Sequence, residues 1–248
     1  MPEAKEVVVF LPNWVGDVVM ATPALAALRE HFAQARLTFV GRPGALETLA
    51  GSGLCDDQIV DPSKQRPRLR KWMALAREIR RRRFDHAILL PNSFRSAALA
   101  WVGGAKRISG YDRDLRGWML TDRLRPRRDA RGRFVPVPAI DYYNALAERL
   151  GTGPAARRMR LAVRDEDARA ADGLLAEAGH DPSRPLVMLN PGAAFGVSKM
   201  WRRERYAELG DLLARRRGAQ IIVNAAPSEK ALAADVVAAM GSSPLLDF

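Results

Sequence analysis

The sequence predicts an α/β fold in which parallel strands alternate with helices to form doubly wound sheets. Three observations favour it. Short β-branched apolar runs recur along the chain, a stretch with helical hydrophobic spacing follows most of them, and short loops containing Gly, Pro, Asn or Ser lie between. Runs such as VVVFL and HAILL are apolar throughout rather than alternating. That pattern is typical of strands covered on both faces, as in a parallel sheet.

The first part of the chain predicts five strands and four helices in alternation. The strands are expected at 7–11, 36–41, 57–60, 86–90 and 107–111, and the helices from the first loop to about 32 and at 43–50, 71–83 and 96–102. Thr22 and Pro23 are interpreted either as a helix N-cap pair or as a kink inside the first helix. Between 112 and 138 the periodicity fails, which favours a long loop near the active face or a mobile flap.

The second part predicts a further α/β unit after two helices at 141–150 and 165–177. Strands are expected at 186–190 and 220–224, with helices at 203–216 and 228–240. The terminal PLLDF is interpreted as the start of a third strand. Since two parallel strands cannot bury both of their faces, we expect the second domain to be incomplete in this chain. The boundary falls between 155 and 184, and we place the domains at 1–160 and 161–248.

Composition excludes several classes of protein. A single cysteine, Cys55, argues against a disulfide framework and against a cysteine-rich metal site, and it favours a reducing cytosol. The three histidines have no ligand-like spacing, so no metal site is expected. We predict neither a signal peptide nor a membrane-spanning helix, because the N-terminus enters a strand at once and no run of about 18 apolar residues occurs.

The net charge of +12 needs an explanation. Much of the excess lies in the arginine-rich segments 66–83 and 113–133. One interpretation is a coding bias that enriches arginine on solvated helix faces, and another is attraction to an anionic partner such as a phosphate-rich lipid surface. Nucleic acid is a third, although no helix-turn-helix, zinc-finger or RNA-binding pattern accompanies the charge.

The first candidate site is the loop that leaves the first strand. It reads Leu11-Pro12-Asn13-Trp14-Val15-Gly16-Asp17, and an Ala- and Leu-rich helical pattern follows. Loops at the carboxyl ends of parallel strands are where α/β proteins bind ligands. Asp17 is therefore interpreted either as a helix N-cap or as a general base presented at a cleft.

Two further loops follow strands in the same way. Residues 190–201, NPGAAFGVSKMW, place Gly192, Gly196 and Lys199 before a helix, which suits a phosphate site, although the glycines also fit simple turns. The spacing is neither that of a Walker A loop nor that of a dinucleotide-binding loop. In residues 90–96, LPNSFRS, Asn92 and Ser93 either bind a polar ligand or cap the next helix.

Taken together and in this order, the three loops resemble the ADP-heptose:lipopolysaccharide heptosyltransferases of glycosyltransferase family 9. WVGD and LPNSF are most similar to heptosyltransferase II. The resemblance implies a GT-B fold of two Rossmann-like domains, with the acceptor bound by the first and the nucleotide sugar by the second. It also implies further loops of the D-[ST]-G and G-P-[ST] type that complete the nucleotide site and are missing from these 248 residues, so the chain is expected to be C-terminally truncated.

The resemblance further implies a reaction and a set of site residues. The reaction is inverting, metal-independent transfer of L-glycero-D-manno-heptose from ADP-heptose to the heptose-Kdo-lipid A acceptor of the lipopolysaccharide inner core. Asp17 matches the catalytic base and Lys199 the diphosphate-binding lysine. Further contacts to the diphosphate are expected from Gly192, Ala194, Gly196 and Ser198, and a contact to the ribose from Glu229. The residues expected on the acceptor side are Asn13, Trp14, Gly16, Asn92, Ser93 and Arg95.

No metal or other cofactor is expected, and the partners are the nucleotide-sugar donor and the anionic lipid-linked acceptor. We expect a cytoplasmic monomer in peripheral contact with the inner membrane, without nucleic acid. The alternative enzyme is a related family 9 transferase that uses another nucleotide sugar. A different class of function is a non-catalytic protein that binds nucleic acid or a lipid surface through its arginines.

Overall fold

The computed structural model describes residues 4–62, 66–193 and 199–247. The chain divides into two compact units, Met1–Arg164 and Asp165–Phe248, where the sequence placed a boundary after residue 160. Both units are α/β structures with parallel sheets, as predicted. The apolar strand runs and the helical spacing between them are sufficient to produce this alternation.

The first unit is built on a parallel sheet whose order is β3-β2-β1-β4-β5-β6. Chain order reverses between β1 and β4, and this reversal is the topological switch point at which doubly wound sheets bind ligands. The strands are β1 Glu6–Phe10, β2 Arg36–Gly41, β3 Asp57–Val60, β4 His86–Leu89, β5 Arg107–Tyr111 and β6 Asp122–Leu124.

Helices cover both faces of this sheet. They are α1 Val15–His31, α2 Pro43–Thr48, α3 Arg68–Arg82, α4 Phe94–Val102 and α5 Ala139–Arg149. Within β1, Val7 and Val9 pack into the core cluster that holds α1 and α5, while Val8 and Phe10 pack into the cluster that holds α3 and α4. Because successive side chains point to opposite faces, a strand buried on both sides must be apolar throughout.

One feature of the first unit differs from the sequence prediction, and one alternative that the sequence left open is resolved. The 112–138 segment is not loop alone, because β6 pairs in parallel with β5 at the edge of the sheet. The sequence pattern does not reveal this strand, because it is only three residues long and carries Asp122 and Arg123. Of the two interpretations of Thr22 and Pro23, the structure excludes the helix start, because Pro23 lies inside α1. The Thr22 hydroxyl donates to Val19 O at 2.8 Å and so satisfies the carbonyl that Pro23, which has no N–H, leaves without a helical donor.

The second unit contains a parallel sheet of order β7-β8-β9 among its described residues. Its elements are α6 Asp165–Glu177, β7 Leu186–Leu189, α7 Arg203–Arg217, β8 Gln220–Val223, α8 Lys230–Ala239 and β9 Leu246–Asp247. The terminal segment forms the predicted third strand, β9, which pairs with β8. A small core of Leu189, Ile221, Val223, Ala233 and Val236 joins the sheet to its helices. Throughout the described ranges, every helix is too short or too polar to cross a membrane.

Candidate active site

The loops after β1, β2, β3 and β4 enclose a cavity of about 200 Å³ at the carboxyl edge of the first sheet. Its position matches the switch point between β1 and β4. Asn13, Ser93 and Arg95, which the sequence assigned to the acceptor side, all line it, and Arg42 and Asp61 are its other charged lining residues. The structure thus brings together residues from distant parts of the chain.

Charge in this cavity is partly neutralised. Arg95 donates through both terminal nitrogens to the Asp61 carboxylate, at 2.7 and 2.9 Å. The Nε of Arg42 is buried without a hydrogen-bond partner in the described structure. Since two guanidinium groups face one carboxylate, the cavity favours a polar or anionic ligand. The sequence missed Arg42 and Asp61, because both look like ordinary charged loop residues.

Asp17 lies in the first turn of α1 and is half-buried. It is not the N-cap, which was one interpretation of the sequence, because Trp14 occupies that position and makes no side-chain cap bond. Among the described residues, no hydrogen bond or ion pair engages the Asp17 carboxylate. A carboxylate in the first turn of a helix lies next to the positive end of the helix dipole.

The residue before Asp17 borders open space, and Tyr143 lies near the Asp17 carboxylate. A Cβ on Gly16 would meet nothing within 4 Å, so the glycine leaves room for a ligand beside the carboxylate. Tyr143 on α5 is buried, and its pKa is raised by that burial, with a further contribution from the negative charge of Asp17. Trp14 is 47% exposed next to this opening.

Arg116 holds the loop after β4 through hydrogen bonds to its backbone. Nothing in the sequence distinguished this arginine from its neighbouring arginines. Its side chain is fully buried, and burial lowers its pKa to about 10, so it stays charged at neutral pH. Nε donates to Tyr111 O at 2.9 Å, and Nη1 donates to Pro91 O and, at 3.3 Å, to Ser93 O. A buried cation therefore fixes the backbone that carries Asn92.

Asn92 is held by Tyr142 of α5, whose ring is supported in turn by Tyr111 of β5. The Tyr142 hydroxyl donates to Asn92 Oδ1 at 2.9 Å, and the Tyr142 ring stacks on Tyr111 with centroids 3.7 Å apart. Ser93 is the N-cap of α4, accepting from the Ser96 amide at 3.2 Å. The structure thus gives Ser93 the capping role that the sequence left open, and its ligand role stays a prediction.

In the second unit, the loops after β7 and β8 meet at the carboxyl edge of the smaller sheet. Asn224 Nδ2 donates to Asn190 Oδ1 at 2.8 Å and joins the two loops. Gly192 lies so close to the Glu229 carboxylate that a Cβ on the glycine would collide with it. The loop predicted to bind the diphosphate and the residue predicted to bind the ribose therefore adjoin each other.

The remaining donor-side predictions are only partly described. Lys199 is exposed a few residues before α7. Ala194, Gly196 and Ser198 lie outside the described residues. No group of three or more His, Cys, Asp or Glu side chains that could hold a metal ion occurs within ranges 4–62, 66–193 and 199–247.

Comparison with known proteins identifies the family. A family model described as glycosyltransferase family 9 (heptosyltransferase) matches residues 72–243, well over half of the chain. The chain belongs to glycosyltransferase family 9. As a family 9 glycosyltransferase it is 25% identical over 242 residues to lipopolysaccharide heptosyltransferase 2 of Salmonella typhimurium, covering 96% of this chain and 68% of that relative.

Solved structures confirm the fold of this family 9 chain. A family 9 glycosyltransferase from Veillonella parvula matches with a TM-score of 0.83 at 25% identity, covering 98% of this chain and 68% of that one. The ADP-heptose lipopolysaccharide heptosyltransferase II of E. coli matches with a TM-score of 0.79 at 22% identity, covering 98% and 71%. The GT-B prediction and the resemblance to heptosyltransferase II are therefore confirmed.

Proposed function

We propose that this family 9 glycosyltransferase transfers L-glycero-D-manno-heptose from ADP-heptose, with inversion, to a heptose on Kdo-lipid A in lipopolysaccharide core synthesis. The names of the similar proteins, a lipopolysaccharide heptosyltransferase 2 and an ADP-heptose heptosyltransferase II, support this donor and acceptor class. The observation that carries the proposal is Asp17, a half-buried carboxylate without a hydrogen bond or ion pair to any described residue, beside open space at the sheet edge.

The proposed step is a direct displacement. An acceptor hydroxyl oxygen attacks the anomeric carbon of the donor sugar, the bond from that carbon to the diphosphate oxygen breaks, and ADP leaves with the electron pair. Asp17 takes the proton from the attacking hydroxyl as general base. A glycoside hydrolase pairs its base or nucleophile with a carboxylic acid that protonates the leaving group. A diphosphate leaves as a stable anion and needs no such acid.

Stabilisation of the leaving diphosphate falls to the second unit. Lys199 supplies positive charge, and the peptide N–H groups of the 190–199 loop, from Gly192 through Ala194, Gly196 and Ser198, supply donors. The Glu229 carboxylate, which lies against Gly192, is proposed to accept hydrogen bonds from the ribose hydroxyls. Since these groups balance the charge that develops on the diphosphate, the reaction requires no metal ion or other cofactor.

The acceptor is proposed to bind along the cavity of the first unit. Asn13, Trp14 and Gly16 contact the sugar next to Asp17, and Asn92 contributes an amide fixed by Tyr142. Ser93 shapes the start of α4, and Arg95, paired with Asp61, presents a neutralised guanidinium to a polar ligand. We further propose that the protein acts as a monomer at the cytosolic face of the inner membrane.

A donor and acceptor panel tests this function. The protein is incubated with ADP-heptose, ADP-glucose, GDP-mannose or UDP-N-acetylglucosamine and with Kdo-lipid A that either carries or lacks the first heptose, and products are measured by mass spectrometry. We expect a mass gain of one heptose only with ADP-heptose and the heptose-bearing acceptor. Transfer from another nucleotide sugar in preference to ADP-heptose would refute the donor assignment in favour of a related family 9 activity. Transfer to Kdo-lipid A that lacks heptose would refute the acceptor.

A further inference from the structure

An exposed aromatic cluster lies on the first unit at the side of α4. Trp118 contacts Trp101 edge to face, with ring centroids 5.4 Å apart, and lies 6.5 Å from Phe94. Trp118 is 60% exposed, Trp101 53% and Phe94 47%. Large aromatic side chains bury most of their area when they serve the core, so three adjacent rings left in solvent indicate a contact surface.

The loop that carries Trp118 also presents a leucine to solvent. Leu115 is 89% exposed and adopts the left-handed conformation, with φ of 58°, directly after Asp114 at 53°. Aspartate tolerates such backbone, but for leucine it is unfavourable and persists only where the surroundings impose it. The next residue, Arg116, is the fully buried arginine beneath the β4 loop, and it anchors this projection. The fold thus holds an apolar side chain outward at a local conformational cost.

Basic residues border the same surface. Arg80, Arg83 and Lys106 line a shallow cavity of about 660 Å³ together with Trp101 and the end of α4. The end of α4 packs closely against α3, since a Cβ on Gly103 would collide with Ile79 of α3. This packing brings the basic residues at the end of α3 close to Trp101. Lys106 is paired with Asp85 at 2.7 Å, whereas the Arg80 and Arg83 side chains make no ion pair with any described residue.

We propose that this surface, the lipid-docking face formed by Phe94, Trp101, Leu115, Trp118, Arg80, Arg83 and Lys106, binds an anionic lipid bilayer. Tryptophan favours the boundary between headgroups and hydrocarbon, leucine favours the hydrocarbon, and exposed arginines are attracted to the negative potential of anionic headgroups. The inference rests on the proposed function, since a lipid-linked acceptor would lie in that bilayer.

Charge and ring geometry favour a bilayer over other occupants. A second copy of the chain would place two strongly basic faces against each other. Bases of single-stranded nucleic acid stack on open ring faces, but the Trp101 and Trp118 planes meet at 72°, so they form no shared platform. A headgroup layer accepts both the rings and the cations without a fixed geometry.

Vesicle flotation tests the proposal. The protein is mixed with vesicles of phosphatidylcholine alone or of phosphatidylcholine with phosphatidylglycerol, and the floating fraction is measured at low and high salt. We expect binding to the anionic vesicles only. Trp118→Ser and Leu115→Ser together should lower the partition coefficient about tenfold, and Arg80→Gln with Arg83→Gln about thirtyfold at low salt. Because all four side chains are exposed, folding should persist, which circular dichroism checks.

Matched variants elsewhere serve as controls. Leu161→Ser with Val163→Ser removes two other apolar groups that are more than half exposed, and Arg216→Gln with Arg217→Gln removes two arginines from the end of α7. Both pairs should bind vesicles as the unaltered protein does. Equal loss in these controls, or unchanged vesicle binding by the face variants, would overturn the proposal. The proposal would also be overturned if the protein does not bind vesicles but binds DNA, or dimerises with rising concentration, and only the face variants lose that property.

Transfer to a de-acylated, soluble acceptor separates this proposal from the proposed function. The face variants should keep that activity while losing vesicle binding. If neither the unaltered protein nor any variant transfers heptose but vesicle binding is intact, the proposed function would be refuted and the lipid-docking face would still be supported.

Discussion

Acidification should destabilise the first unit through one buried histidine. His86 lies in β4 and is 2% exposed, and its Nε2 lies 2.8 Å from Ser109 Oγ. Burial lowers its pKa from 6.5 to about 4, and the nearby positive charge of Arg107 acts in the same direction, while Asp122 opposes them. The folded protein therefore holds His86 neutral at a pH where the unfolded chain is protonated.

The size of the effect follows from these two pKa values. The unfolded chain binds the proton below pH 6.5 and the folded chain only below about pH 4, so stability is lost as the pH falls through that window. Each pH unit inside the window costs about 1.4 kcal/mol. The contribution of His86 should fall by about 2 kcal/mol between pH 7 and pH 5, and by about 3 kcal/mol at pH 4.

Urea unfolding of the protein and of His86→Gln measures this contribution. Glutamine can keep a hydrogen bond to Ser109 but does not titrate, so acid groups elsewhere cancel in the difference between the two proteins. We expect the difference in unfolding free energy to change by about 2 kcal/mol between pH 7 and pH 5, in the direction that weakens the histidine form. A difference that stays constant over this range would refute the assignment of a buried neutral histidine.

Further predictions concern the loops of both sheets. Arg116→Ala should lower the unfolding free energy, measured with urea, by about 3 kcal/mol, because it removes buried packing and the donor to Pro91 O. Arg123→Ala, at an exposed position, should lower it by less than about 0.5 kcal/mol. Equal losses of unfolding free energy in the two variants would contradict the anchoring role of Arg116. Lys199→Ala should weaken ADP binding about tenfold by calorimetry, and unchanged affinity would refute its phosphate role. Gly192→Ala should displace the Glu229 carboxylate and weaken ADP binding severalfold, without lowering the unfolding midpoint of the first unit. An ADP affinity equal to that of the unaltered protein would show that the position of the Glu229 carboxylate does not affect ADP binding.

Local pattern was enough to predict the repeating strands and helices, because burial on both faces leaves a clear apolar signature in the sequence. The exceptions are instructive. The edge strand β6 is short and charged, so it carries no such signature, and its pairing with β5 determines its conformation. Pro23 fitted either a helix start or a position inside a helix, and the hydrogen bond from the Thr22 hydroxyl that accompanies the second cannot be read from local spacing.

The site was predictable only in part. Asp17, Asn92 and Gly192 stand out because each follows a strand that the sequence reveals. Arg116 and Asp61 do not, since an arginine that anchors a loop and an arginine in solvent look alike in sequence. Their roles depend on contacts with residues 25 and 34 positions away, at Pro91 and Arg95, which local spacing cannot show.

The central claim is that Asp17 takes the acceptor proton, and the Asp17→Asn variant tests it most directly. Single-turnover transfer from ADP-heptose is measured beside donor affinity, with exposed Asp172→Asn as a matched control. Asparagine keeps the size of the side chain and removes its basicity. We expect transfer to fall at least about a hundredfold, with donor affinity unchanged and the control fully active. Transfer by Asp17→Asn at the rate of the unaltered protein would contradict the account.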